Sequence, residues 1–141
     1  MKKSIYFLLC LSVSAGYAQS QKPVAKPTSK SAVATAKLPG QALYEQHCLV
    51  CHQADGSGVP GLNPPLKGAS WVQGDKTRLI NVLLKGLQGQ EIDEEMYDNA
   101  MPAHDFLDDT QIAGVLTYIR SNFGNKADAV TADEVKKVRG K

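Results

Sequence analysis

The hydrophobic positions of this 141-residue chain follow two different patterns. Near the N-terminus they run on without a break from Ile5 to Ala15, interrupted only by serines. Beyond about residue 40 they recur at three- and four-residue spacing, the period of amphipathic helices. Leu43, Tyr44 and His47 predict a first helix over residues 40–50. Asp75 is an N-cap for a middle helix running to about Leu87, with Leu79, Ile80, Leu83, Leu84 and Leu87 as its apolar stripe and Gly89 as its stop signal. Asp108 with Gln111 three residues on predicts a capping box, followed by Ile112, Val115, Leu116 and Ile119 on one face. Phe123 lies further along, and Gly124 supplies the C′ position. Thr131 and Glu134 predict a second capping box, opening a short helix that turns Val135 and Val138 inward. No alternating strand pattern of useful length occurs, so the fold class is all-α.

The N-terminal run is a different object. Lys2 and Lys3, an apolar stretch too short to span a bilayer, and Gly16-Tyr17-Ala18 before Gln19 read as a signal peptide over residues 1–18. Residues 19–38 hold four lysines, two prolines and no aromatic or acidic residue, a composition that cannot offset the entropy of ordering. They read as a flexible tether spanning roughly 25 Å root-mean-square, whose positive charge suits anionic lipid headgroups and peripheral membrane attachment. The helical domain occupies residues 39–141.

This division changes what the bulk figures mean. The formal charge of +2 sums over a basic signal, a basic tether and a domain with ten basic against fourteen acidic residues, formally −4. An acidic domain excludes a nucleic-acid partner. Of three cysteines, Cys10 leaves with the signal; Cys48 and Cys51 remain in a chain expected in the oxidising periplasm, where paired cysteines normally form disulfides.

Those two cysteines stand in Cys48-Leu49-Val50-Cys51-His52. A thioredoxin-like redox pair needs a preceding strand and a βαβ setting, which are missing. A zinc site needs a second ligand pair, and no other cysteine remains. The third reading is covalent haem attachment, for which Cys-x-x-Cys-His is the signature. Two cysteines three apart reach two vinyl groups of one porphyrin, and the next residue, His52, falls beneath the iron. Thioether bonds also remove both thiols from disulfide chemistry.

A haem iron held by His and Met needs a methionine from elsewhere in the chain. The domain offers Met96, in a polar acidic run, and Met101, fixed by Pro102 in a loop before the long helix. Met101 is the expected second axial ligand. His47, too close to the attachment loop, and His104, read as a surface residue, are the rivals for a bis-histidine site.

The run Gly40-x-x-x-Tyr44-x-x-x-Cys48-x-x-Cys51-His52, the Asn63-Pro64-Pro65-Leu66 loop, Met101-Pro102 and the helix carrying Tyr118-Ile119 resemble a class I cytochrome c over residues 40–125. The resemblance implies helices wrapped around one covalently attached haem c per chain. It implies a close crossing of the first and last helices, permitted by Gly40, with Tyr44 packed against Val115 and Tyr118. It implies that the Pro64 carbonyl accepts a hydrogen bond from His52, steadying the ring as an iron ligand. Trp71 resembles the family's aromatic that bonds a haem carboxylate; simple packing is the other reading. Residues 54–60 correspond to the exposed haem edge. The acidic run Glu91, Asp93, Glu94, Glu95 and Asp98 departs from basic-faced members and suits a neutral or basic docking face.

With both axial positions filled, the expected role is not enzymatic. It is one-electron transfer in the periplasm between a membrane donor or dehydrogenase and an oxidase or reductase. An electron-transfer subunit of a larger redox complex is the near alternative. A haem sensor or peroxidase with a labile sixth ligand is a further one.

Overall fold

The computed structural model describes residues 40–140; the expected signal and tether lie outside the described residues. The order is α1 (Gly40–His47), α2 (Leu49–His52), α3 (Ser70–Gln73), α4 (Lys76–Lys85), α5 (Asp109–Ser121) and α6 (Ala132–Arg139). Among the described residues there are three isolated β-bridges and no β-strand, in keeping with the all-α reading. No helix among them is long and apolar enough to cross a membrane.

The helix starts follow the local chemistry of the sequence. The Asp75 side chain accepts from the Arg78 N–H and opens α4. Asp108 and Gln111 form a reciprocal box at the start of α5, and Thr131 and Glu134 do the same for α6. The helix ends differ from expectation. α4 stops at Gly86, whose φ of 75° suits a residue without Cβ, so Leu87 lies beyond the helix and Gly89 plays no part in ending it. At the end of α5 the left-handed turn begins at Phe123 (φ 56°), before Gly124. The predicted first helix is broken at Cys48 into α1 and α2.

The core is built where α1 crosses α5. A Cβ placed on Gly40 would lie 2.1 Å from the Gly114 carbonyl oxygen, so only glycine allows this approach. Next to the crossing, the Tyr44 ring packs at 5.6 Å from Tyr118 and 5.1 Å from Phe123, between centroids. Leu43, Tyr44, Ile112, Val115 and Leu116 are buried together. α6 lies on α5 and α4, with Val135 fully buried. Asn125, 3% exposed, donates to the Leu66 and Ile119 carbonyls and accepts from the Gly68 N–H, tying the proline loop to the end of α5.

Candidate functional site

The Cys-x-x-Cys-His segment is a single turn of helix. Cys48 donates from its N–H to the Tyr44 carbonyl, and its own carbonyl accepts from the N–H groups of Cys51 and His52 at 3.2 and 2.9 Å. Gln53, at φ 63°, ends the turn, and the Tyr44 hydroxyl donates to its carbonyl. No disulfide joins the two cysteines; Cys48 is half-buried and Cys51 exposed. Burial, with a smaller contribution from Cys51, pushes the Cys48 thiol up to about 11. That is the reverse of the lowered pKa a dithiol redox centre requires.

The loop that follows returns to His52. The Gly58 N–H donates to the His52 carbonyl, and Val59 and Asn63 bridge each other at 2.9 and 2.8 Å. This folds the Pro64 carbonyl against the imidazole, where His52 Nδ1 and the Pro64 oxygen lie 3.0 Å apart. With Nδ1–H donating, the lone pair of Nε2 is free for a metal. Burial holds His52 below the usual histidine range; the Pro64 bond opposes that shift, and nearby His104 reinforces it. The neutral ring, the form that ligates metals, is therefore favoured.

Met101 is held by backbone pairing with Leu87: each N–H donates to the other's carbonyl, at 2.8 and 3.0 Å. The stop at Gly86 makes this possible, since a Cβ there would sit 2.4 Å from the Met101 carbonyl oxygen. The His104 N–H donates to the Leu83 carbonyl, and its Nδ1 lies 3.0 Å from the Pro102 oxygen. His104 is thus buried (9% exposed), contrary to its reading as a surface residue, and it stacks with His47 and Phe106. The Leu83 carbonyl that holds its main chain belongs to α4, which local sequence does not reveal. Met96 is 54% exposed.

Two adjoining cavities of about 680 and 660 Å³, each counting space continuous with solvent, share Cys48, His52, Pro64, Leu87, Ile92 and Met101 as walls. The more apolar one is lined also by Leu66, Val72, Leu79, Leu83, Leu116 and Ile119, and by Trp71, over whose ring the Arg78 guanidinium lies at 4.3 Å. The other is lined also by Cys51, Asn63, Gln88, Gln90 and Asn99. Residues 54–60, expected at the exposed edge, line neither cavity. The cleft is apolar. Two thiols, an imidazole nitrogen and a thioether border it, a donor set that fits a covalently held haem.

The cytochrome c family model matches residues 38–123. The chain belongs to the cytochrome c family. It is 40% identical over 119 residues to cytochrome c-552 of Thermus thermophilus, covering 77% of this chain and 80% of that one. It is 39% identical over 108 residues to the cytochrome c subunit of the quinone alcohol dehydrogenase of Gluconacetobacter polyoxogenes, covering 74% of this chain but 23% of that subunit. The c-type cytochrome XoxG of Methylobacterium extorquens AM1 aligns at a TM-score of 0.45 and 22% identity, over 70% of this chain and 63% of that one. This cytochrome carries one covalently bound haem c and acts as an electron carrier, with other redox proteins as its partners.

Proposed function

We propose that Cys48 and Cys51 hold the haem through thioether bonds and that His52 and Met101 are its axial iron ligands. The observation that carries this is the shared cleft. His52, with Nδ1 committed to Pro64, and Met101, fixed by its pairing with Leu87, border both cavities, while Met96 stands in solvent. When bound, the haem supplies a one-electron couple whose potential a thioether ligand raises. The chain supplies the rest. Donation to Pro64 fixes the His52 ring and strengthens Nε2 as a donor. Leu79, Leu83, Leu116 and Ile119 give the cleft an apolar wall. The Met101 thioether leaves no coordination position for substrate, so the protein is a carrier rather than an enzyme. Trp71, beside the cleft with Arg78 stacked on it, is proposed to bond a haem carboxylate through its indole N–H.

Residues 1–18 are proposed to export the chain to the periplasm and residues 19–38 to tether the domain 39–141 near a membrane or partner, which raises effective concentration. The donor would be a dehydrogenase or membrane protein and the acceptor an oxidase or reductase. The similarity to cytochrome subunits of dehydrogenases supports the variant in which the chain serves a larger redox complex. The weak far-red absorption of ferric haem with methionine bound tests the ligand set. It should vanish in Met101→Ala and persist in Met96→Ala; its survival in Met101→Ala would overturn the assignment. Ready binding of carbon monoxide or cyanide to the native protein would instead favour a sensor or peroxidase.

A further inference from the structure

Arg120 is the most deeply buried cation among the described residues: it is 3% exposed, in the last turn of α5. Its Nε donates to the Asp128 carbonyl at 2.7 Å, and one terminal nitrogen donates to the carbonyls of Val72 and Gly74 at 2.6 and 3.1 Å. Asp128 offers its main chain, and among the described residues no carboxylate pairs with this guanidinium. Arg120 itself lines neither cavity, but it is bonded to a residue that does. Ile119, the preceding residue, and Val72, whose carbonyl it holds, both line the more apolar cavity, and Trp71 adjoins Val72.

A guanidinium stays charged at any accessible pH, and a buried charge without a counter-ion is costly. Carbonyl dipoles solvate it without neutralising it. A lone charge in a low-dielectric interior acts over a longer range than one in water. Reduction adds one negative charge to the cleft and oxidation removes it. A fixed cation bonded to a residue of the cleft wall therefore favours the reduced state. We propose that Arg120 is a positioning residue for redox poise: its unpaired buried charge raises the haem reduction potential, while its hydrogen bonds tie α3 and the segment before α6 to α5. This rests on the cleft being the haem site, and not on which methionine completes it.

The test is spectroscopic redox titration of the haem-loaded full chain as wild type, Arg120→Gln, Arg120→Lys and Val130→Ala. Val130 is a buried neutral residue of the same neighbourhood, and its truncation controls for loosened packing. Arg120→Gln should lower the ratio of reduced to oxidised protein at fixed ambient potential by about threefold or more, near 28 mV for a one-electron couple. Arg120→Lys, which keeps the charge, should stay closer to wild type. The shift should survive high salt, because buried charges are weakly screened. Equal potentials in wild type and Arg120→Gln would overturn the proposal, as would an equal drop in Val130→Ala. Should Arg120→Lys not fold, the contrast between Arg120→Gln and Val130→Ala at matched melting temperature decides. An unchanged potential beside an intact far-red band in Arg120→Gln would reject the role of Arg120 while leaving the ligand assignment standing.

Discussion

Two glycines face each other where α1 crosses α5, and alanine should affect them in opposite ways. At Gly40 a new Cβ would meet the Gly114 carbonyl oxygen at 2.1 Å, its carbon at 2.7 Å and the Tyr118 Cβ at 3.0 Å. Ordinary contact begins near 3.4 Å, so the helices must separate by about 1.3 Å. The obstacle is main chain, which no rotamer change relieves, so the overpacking cost falls toward the upper part of the usual range of about 1–3 kcal/mol. At Gly114 the added Cβ would find its nearest neighbours in Gly40 at 3.8 and 3.9 Å, an ordinary contact. Alanine inside a helix is favoured over glycine by about 1 kcal/mol. Thermal unfolding of the haem-loaded protein, followed by far-ultraviolet circular dichroism, separates the two. Gly40→Ala should lower the midpoint by roughly 10 °C or more, at about 4–8 °C per kcal/mol for a domain of this size. Gly114→Ala should leave it unchanged or raise it. Equal losses in both variants, or a harmless Gly40→Ala, would refute the steric account of the crossing.

Gly86→Ala should weaken the far-red methionine band and lower stability together, because it strains a φ of 75° and drives a Cβ into the Met101 carbonyl. Arg139→Ala should cost about 1–3 kcal/mol in thermal or urea unfolding, since its guanidinium binds the Asp109 carboxylate at 2.6 Å and the carbonyls of Asp105 and Leu107. Lys76→Ala, which breaks the more exposed pair with Glu134, should cost less than about 1 kcal/mol. The carboxyl of Glu134 is held below its ordinary 4.5, chiefly by the Thr131 N–H and then by Lys76. A depressed pKa means stability that is present above 4.5 and lost as pH falls through the folded value. Glu134→Gln should therefore lower the neutral plateau and flatten the acid limb of a stability–pH curve, leaving stability below the folded pKa nearly unchanged.

Helix starts were legible because a capping box is local chemistry: Asp108 with Gln111, and Thr131 with Glu134, need only three residues of spacing. Helix ends were less so. Gly86 and Gly89 look alike in sequence, and what selects Gly86 is the Met101 segment arriving against it from fifteen residues away. The short α3 has too few residues for a period to show. At the candidate site, the attachment motif, the proline carbonyl and the methionine stand out as residue types. The burial of His104 and Arg120 does not, because each is enclosed by carbonyls of other elements and nothing in its own neighbourhood marks it. Gly114, the other half of the helix crossing, was hidden for the same reason.

The α1–α5 crossing also sets an order of events. The two helices are separated by some sixty residues of chain, so their docking closes a long loop and cannot occur before residues 109–121 exist. Closing such a loop carries an entropy that grows only slowly with its length, so timing is the stronger constraint. A chain emerging N-terminus first therefore presents Cys48 and Cys51, just past α1, before α1 has its partner. Cys48, half-buried in the finished fold, is therefore at its most accessible before α5 arrives, whereas Cys51 stays exposed throughout.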